Sequence, residues 1–150
     1  MGQSLMQFYV HLTFSTKNRA VMIGEEIENE LFAYLGGACH NANCPPLAVG
    51  GYRDHVHILC RLDKNTLIPN LIKKLKVSSS IWIKTKTPAS DQFAWQDGYG
   101  AFSVNPSEVD TVVRYIQNQK EHHQTRSFQD EYLAFLKKYK VEYDERYLWR

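Results

Sequence analysis

The sequence has 150 residues, a length that fits a single domain. Hydrophobic residues make up 43% and charged residues 23%, as in an ordinary folded protein, and the net charge is only +2. A charge this close to zero gives no global sign of nucleic-acid binding, so such a function must rest on local clusters. No stretch approaches the roughly 20 apolar residues that span a bilayer, which predicts no membrane association.

The three cysteines, Cys39, Cys44 and Cys60, indicate a reducing compartment. Their odd number is typical of free thiols, and the first residues lack the basic segment and long apolar run of a secretory signal. We therefore expect a cytoplasmic protein. Cys39, His40 and Cys44 do not have the spacing of a closed zinc site, which favours structural thiols over metal ligands.

The first half of the chain predicts a strand, a helix and a hairpin, in that order. Residues 8–16 are rich in β-branched and aromatic side chains, which indicates the first strand. Residues 24–42 have apolar residues at helical spacing, and Gly36 with Gly37 could fray or end this helix. Residues 45–62 indicate two strands joined as a hairpin, either around Gly50 and Gly51 or around residues 52–54.

The second half adds one strand and further helices. Residues 66–86 form a predicted helix with Pro69 in its first turn, and residues 92–105 indicate a fourth strand region broken by glycines. A third helix over 105–124 begins at Asn105, which with Glu108 has a capping-box pattern. Residues 127–139 are amphipathic. This order predicts an α+β, ferredoxin-like (RRM-like) split β-α-β fold in one domain over 1–150, with an antiparallel sheet, helices on one face and extra C-terminal helices.

Two histidines stand two positions apart in the segment "DHVHIL". Side chains of a strand alternate between faces, so His55 and His57 share one face while Val56 and Ile58 point to the other, into the core. Two imidazoles about 6 to 7 Å apart along a strand can share one divalent metal. The alternative is a pair of solvated histidines on an exposed sheet face, and the short motif alone favours that alternative.

The third predicted helix carries a polar ridge at the edge of its apolar stripe. Gln119 and His122 lie within about 40° of Tyr115 around the helix axis. The Gln119 amide oxygen could complete a metal site with the two histidines, and Tyr115 could then attack a phosphorus atom polarised by that metal. Tyr115 could equally be a boundary tyrosine and Gln119 a surface amide. The pattern leaves the roles of His122 and His123 open.

Taken together, these motifs resemble the IS200-like family, the single-tyrosine HUH transposases of small insertion sequences. The triplet from His55 to His57 resembles the His-hydrophobic-His motif of HUH nucleases, and "YIQNQ", from Tyr115 to Gln119, resembles the tyrosine and glutamine of these transposases. The stretches "HLTFSTKNR", "GGYRDHVHIL", "FAWQDGYGAFSV" and "EYDERYLW" fit the same family. The resemblance therefore covers nearly the whole chain.

The resemblance implies a transposase that cuts and rejoins single-stranded DNA and recognises hairpins at the element ends. Tyr115 would form a 5′-phosphotyrosyl link and release a 3′-hydroxyl, which reverses the reaction at a new junction. His55, His57 and Gln119 would hold Mg²⁺ or Mn²⁺, and we expect Mn²⁺ to support activity well in vitro. The resemblance also implies an obligate homodimer, in which the tyrosine helix could complete the partner's histidine pair.

Basic residues supply candidate contacts to the DNA backbone. The lysines between residues 73 and 86 lie in a stretch without acids, which alone could be a solvated helix face but near a phosphate-cutting site favours a DNA-binding patch. Trp95, Tyr99 and Phe102 could stack on unpaired bases or lie in the core. The predicted DNA-binding residues are Lys17, Arg19, Arg53, Lys73, Lys74, Lys76 and Lys84.

Two other functions remain open from the sequence. A non-catalytic nucleic-acid-binding module can have the same fold, but RNA-binding sheets of this kind usually stack bases on sheet aromatics, whereas the central strand here carries His55 and His57. A domesticated relative that processes genomic palindromes would keep the same residues, and the sequence does not separate it from the enzyme of a mobile element. Two-histidine phosphoesterases need a second His-x-Ser/Thr motif, which the chain lacks.

Overall fold

A four-stranded antiparallel sheet organises the protein. The structure is a computed structural model that describes residues 2–86, 91–123 and 125–150. The strands are β1 (Tyr9–Ser15), β2 (Pro46–Tyr52), β3 (His55–Arg61) and β4 (Gly100–Val104), in the order β2-β3-β1-β4. This order places β3 and β1 at the centre of the sheet and confirms the predicted α+β split β-α-β fold.

Helices cover both faces of this sheet. The first two helices pack on one face, as predicted for this fold, and the extra C-terminal helices cover the other. Gln124, the last residue of the predicted third helix, lies outside the described residues. The helices are α1 (Glu25–Asn41), α2 (Ile68–Lys84), α3 (Val109–Gln117), α4 (Gln119–His122), α5 (Phe128–Lys138) and α6 (Glu145–Leu148).

The face under α1 and α2 is the main hydrophobic core. Alternate residues of β1 and β3 point into it, and α1 and α2 contribute leucines and isoleucines at helical spacing. All three cysteines are free and buried, as predicted. The buried strand residues of this face are Val10, Leu12, Phe14, Val56, Ile58 and Cys60.

The opposite face of the sheet is closed as well. Leu59 packs with Val104 and Ile116 of α3, while Phe102 packs against the apolar stripe of α5. His55 and His57 are both 0% exposed, so the alternative of two solvated histidines is wrong. The alternation predicted from the sequence is confirmed, but the C-terminal helices bury the histidine face, which the alternation alone could not assign as buried or exposed.

The structure settles two local predictions. The hairpin turn lies at Arg53 and Asp54, the second of the two predicted positions. Helix α1 continues through Gly36 and Gly37 to Asn41. Gly36 faces β2, and a Cβ atom added at this position would lie 3.7 Å from the side chains of Pro46 and Val49, an ordinary van der Waals distance. Packing against the sheet thus outweighs the low helix propensity of glycine.

The predicted third helix is not continuous. A 3₁₀ turn precedes α3, and the backbone leaves helical geometry at Asn118, with φ −98° and ψ 18°, before α4 begins. Asn105 caps the start by accepting a hydrogen bond from the Ser107 backbone N–H. None of the described helices is long and apolar enough to cross a membrane.

Gly50 of β2 sets the position of α3 on the sheet. A side-chain carbon at this residue would lie 2.6 Å from the carbonyl oxygen of Ile116 and 3.0 Å from its Cγ2. Only a glycine lets the helix backbone approach the strand this closely. The close contact holds the end of α3, which carries Tyr115, over the histidine strand.

Candidate metal and tyrosine site

The two histidines of β3 form the floor of a buried polar cluster. Their ring centroids are 5.1 Å apart, and the rings meet edge to face. The His55 ring also stacks on Phe128 of α5, at 4.7 Å between centroids. A strand supplies both imidazoles and helix packing fixes their planes, so their nitrogens point in set directions.

Two imidazoles have their outer nitrogen bound to an oxygen at the edge of the cluster. His55 Nδ1 lies 2.7 Å from Asp54 Oδ1, and His123 Nδ1 lies 2.6 Å from the Arg126 carbonyl oxygen. A carboxylate or carbonyl oxygen only accepts, so each Nδ1 carries a proton and donates it. In the neutral imidazole, the Nε2 lone pair of each ring then points into the cluster.

These inward lone pairs face other acceptors. Gln119 Oε1 is 3.0 Å from His55 Nε2 and 2.9 Å from His123 Nε2, and Glu131 Oε2 is 3.1 Å from His123 Nε2. Acceptor atoms that face one another in a buried site are stabilised by added protons or by a cation. One ligand atom each from His55, His57, His123 and Glu131 lies within 4.8 Å of the others. The donor set therefore fits a divalent metal.

A second histidine supports His57 from β1. His57 Nε2 lies 2.7 Å from Glu131 Oε1, and its Nδ1 lies 2.8 Å from His11 Nε2. Burial lowers the pKa of His57, and burial together with the nearby His57 lowers the pKa of His11 to about 3. In the metal-free site both rings are thus neutral: His57 Nε2–H donates to Glu131, and its Nδ1 accepts from His11 Nε2–H. A metal on His57 Nε2 would replace that proton.

Tyr115 stands beside this cluster within the same chain. Its hydroxyl donates to Glu131 Oε2 and lies 3.3 Å from His122 Nε2, and its ring centroid is 5.7 Å from that of His57. Burial, and then the Glu131 carboxylate, raise the pKa of Tyr115, so the metal-free site holds a protonated phenol.

Glu131 is the one carboxylate that links the tyrosine to the histidines among the described residues. Its side chain is 1% exposed. Burial alone would raise its pKa, but His57 and the other imidazoles around it hold that pKa well below its usual range. The carboxylate is therefore ionised, and its negative charge is available to a cation in the cluster.

The structure brings together all four residues that the motifs single out, namely His55, His57, Tyr115 and Gln119. The sequence left the role of His123 open, and it gave no role to His11 or Glu131. For Glu131 a signal exists, since it lies between Phe128 and Tyr132 on the apolar stripe of α5, where an acid is out of place. His11 shares the alternation of β1 with Thr13, on the face opposite the core.

The predicted DNA-binding lysines of α2 lie on the other side of the sheet from Tyr115. Lys73, Lys74 and Lys84 are exposed there. Lys76 instead donates hydrogen bonds from Nζ to three backbone carbonyls, of Gln96, Asp97 and Gly98, at 2.7 to 3.1 Å. The structure thus places Lys76 in support of that loop, and none of these lysines reaches the tyrosine.

The other predicted DNA contacts lie nearer the hairpin turn. Arg53 pairs with Glu25, Arg19 lies over the Trp149 ring at 5.3 Å, and Lys17 is exposed. Contact of these three residues with DNA stays a prediction. Of the aromatic candidates for base stacking, Trp95 and Phe102 are buried in the two cores, and Tyr99 is partly buried.

Comparison with known proteins identifies the family. The family model described as "Transposase IS200 like" matches residues 4–119, which include the histidine pair, Tyr115 and Gln119. The chain belongs to the IS200-like transposase family. No curated protein matches this transposase-family chain.

Two solved structures share the fold of this IS200-like family member. A protein of Deinococcus radiodurans R1 assigned as a transposase is 23% identical, with a TM-score of 0.62, over 79% of this chain and 96% of that one. A REP-associated tyrosine transposase bound to a REP hairpin is 14% identical, with a TM-score of 0.59, over 82% of this chain and 74% of that one. The family match ends at Gln119, so His123 and Glu131 come from the following segment.

Proposed function

We propose that this protein is a metal-dependent transposase that cuts and rejoins single-stranded DNA through a phosphotyrosine at Tyr115. One observation carries the proposal: the hydroxyl of the motif tyrosine lies in the same buried cluster as His55, His57 and Gln119, within a single chain. Membership in a transposase family supports DNA as the substrate. A binding module without catalysis would have no need for this arrangement.

The proposed cleavage is a transesterification. The Tyr115 oxygen attacks the scissile phosphorus and forms a 5′-phosphotyrosyl bond, while the bond from phosphorus to the 3′ oxygen breaks. The phenol loses its proton, and the departing 3′ oxygen takes one up to become a hydroxyl. Since one phosphodiester replaces another, that 3′-hydroxyl can reverse the reaction at a new junction without an external energy source.

The residues fit a divalent cation, and we propose Mg²⁺ or Mn²⁺. His55, His57 and Gln119 would hold it, as the motifs predict, together with His123 and Glu131. A cation bound there would polarise the phosphate and offset the negative charge that develops during cleavage. Imidazole nitrogens predominate in this set and suit Mg²⁺ poorly, which favours Mn²⁺ in vitro. Before cleavage, Glu131 holds the Tyr115 proton in place.

We further propose hairpin-forming single-stranded DNA as the substrate and a homodimer as the active form. One similar structure is bound to a REP hairpin, which supports a hairpin ligand. Because Lys73, Lys74 and Lys84 lie across the sheet from Tyr115, they would contact DNA away from the cleaved bond. Lys17, Arg19 and Arg53 are the candidates closer to the hairpin of β2 and β3.

A covalent adduct assay tests the proposal. The protein is incubated with single-stranded oligonucleotides from the ends of the element, with Mn²⁺ or with EDTA, and run on a denaturing gel. We expect an adduct that forms only with metal and disappears in Tyr115→Phe. Tyr143→Phe is the matched control, because Tyr143 is exposed and lies outside the cluster, and it should form the adduct as the native protein does.

Two results would contradict the proposal. An unchanged adduct in Tyr115→Phe would exclude Tyr115 as the nucleophile. Tight DNA binding with no adduct in either Mn²⁺ or Mg²⁺ would favour the non-catalytic binding module.

A further inference from the structure

A cavity opens beside Tyr115, with His11 and Glu131 also in its wall. It has a volume of about 250 Å³ and lies between α3 and α5. At about 30 Å³ for each water, this space holds several waters or one phosphodiester group. Its walls include Tyr115, Glu131, Arg126 and Lys138. The proposed nucleophile therefore faces a space that could take its target.

Two cations line this cavity without an acidic partner. Within the part of the chain that the structure describes, neither Arg126 nor Lys138 forms an ion pair. Arg126 Nη2 makes only a long contact of 3.3 Å with the Asp130 carbonyl oxygen, and Lys138 Nζ lies 5.5 Å from the centre of the Tyr139 ring. Both side chains keep hydrogen-bond donors free for an anion.

The charge distribution of the cluster suits an anion on this side. Among the described residues, Glu131 is the only acid in the cavity wall, and its oxygens are turned to His57, His123 and the Tyr115 hydroxyl. Two positive charges thus line a cavity with one carboxylate, whose oxygens already accept hydrogen bonds from His57 and the Tyr115 hydroxyl. A guanidinium and an ammonium are the usual partners of phosphate oxygens.

We propose that this cavity is the subsite for the scissile phosphodiester, with Arg126 and Lys138 bound to its non-bridging oxygens. This inference rests on the proposed function and adds two substrate-binding residues to it. Both follow Gln119, where the family match ends, so the match assigns them no role. They would hold the phosphorus next to the Tyr115 oxygen, in a cavity that shares Glu131 with the proposed metal ligands.

The simpler alternative is a solvated basic end of α5. Lys137 and Lys138 both lie in the last turn of this helix, where cations are favourable to the helix dipole. Lys137 is exposed and does not line the cavity. It is therefore the matched control, since it has the same charge, the same helix end and no place in the subsite.

The test compares two oligonucleotides that differ only at the scissile phosphate. One has the native phosphodiester and the other an uncharged methylphosphonate at that linkage. Binding is measured by fluorescence anisotropy in the Tyr115→Phe background, so that no cleavage intervenes. We expect the native linkage to bind about tenfold more tightly, as for hydrogen bonds to a charged group.

The preference for the native linkage over the methylphosphonate should vanish in Arg126→Gln/Lys138→Gln and persist in Lys137→Gln. This comparison is a double-mutant cycle between the two protein cations and one phosphate charge. An equal preference in both variants would overturn the subsite. Both cations are at least partly exposed, so we expect the variants to fold, and thermal melting checks this.

A second arm separates failure of the subsite from failure of the proposed function. The metal-free protein is titrated with tungstate, a tetrahedral oxyanion, and its melting temperature is followed. We expect a rise that Lys137→Gln keeps and Arg126→Gln/Lys138→Gln loses. If the rise depends on the two cations but no DNA adduct ever forms, the anion site stands and the transposase proposal fails. A normal adduct rate in Arg126→Gln/Lys138→Gln would reject the subsite and leave the transposase proposal intact.

Discussion

The two faces of the central strands are equally buried and chemically different. On one face, β1 and β3 present Leu12, Phe14 and Ile58 to α1 and α2; on the other, they present His11 and His57 to the C-terminal helices, and all five are at most 1% exposed. The first face is stabilised by excluding water. The second is stabilised in part by hydrogen bonds, such as those that His57 makes with His11 and Glu131.

This difference teaches that burial alone does not separate a core from a site. Apolar side chains that are well packed stabilise the fold whichever neighbours they have, whereas a buried imidazole needs a specific partner. On the second face these partners include Asp54, His11 and Glu131, from three separate parts of the chain. Substitutions on the first face should therefore act on stability, and those on the second on metal binding and catalysis.

The largest effect on stability should come from Ile58→Ala on the core face. The free energy of unfolding should fall by about 2–5 kcal/mol, because the truncation removes buried apolar surface and leaves a cavity. The measurement is urea unfolding followed by circular dichroism, with Ile58→Val, expected to cost about 0.5–1.5 kcal/mol, as the graded control. The protein that remains folded should keep its Mn²⁺ affinity. A Mn²⁺ affinity that falls in step with stability would contradict the separation of the two faces.

Glu131→Gln, on the second face, should act on metal binding rather than on stability. Its shape is conserved but the negative charge is lost, so Mn²⁺ affinity should fall at least about tenfold, as measured by isothermal titration calorimetry. Glu142→Gln is the control, because Glu142 is an exposed acid after the end of α5. Native-like Mn²⁺ affinity in Glu131→Gln would remove Glu131 from the proposed metal site.

The smallest predicted effect is a pH dependence that His11 contributes to the metal-free protein. His11 has a pKa of 6.5 in the unfolded chain and about 3 in the fold, where it faces His57, Glu131 and Lys138. Between these values only the unfolded chain binds the proton. The free energy of unfolding therefore falls as pH drops below 6.5, by up to about 1.4 kcal/mol per pH unit.

His11→Gln tests this contribution. Between pH 5 and 6.5, unfolding free energies of the variant should depend less steeply on pH than those of the native protein. Glu131 is present in both proteins, so the protonation of its unfolded carboxyl, with an ordinary pKa of 4.5, adds to both slopes. The same slope in both proteins would show that His11 takes up its proton equally in the folded state.

The sequence predicted most of the fold because its strands alternate and its apolar residues have helical spacing. It also predicted His55, His57, Tyr115 and Gln119 as one site, since the motif order resembles that of a family. It could not predict that the histidine face is buried. A polar sheet face covered by helices and a polar sheet face exposed to solvent have the same alternating sequence pattern. The covering comes from α5, more than 60 residues away in the chain.

The same distance explains why Glu131 was missed as a ligand and the role of His123 stayed open. Glu131 stands out only as an acid on an apolar stripe, and the packing of α4 and α5 on β3 is what brings both residues to the histidine pair. The break at Asn118 was also invisible, because residues 105–124 keep helical periodicity through it. Tertiary contacts, rather than local propensity, decide both features.

The most direct test of the account is to locate the covalent bond itself. The adduct formed with Mn²⁺ and a single-stranded oligonucleotide is digested with protease and nuclease, and the peptides are sequenced by tandem mass spectrometry. We expect one modified peptide, with a nucleotide 5′-phosphate on the Tyr115 oxygen. A phosphate attached to any other residue, or an adduct that forms without metal, would contradict it.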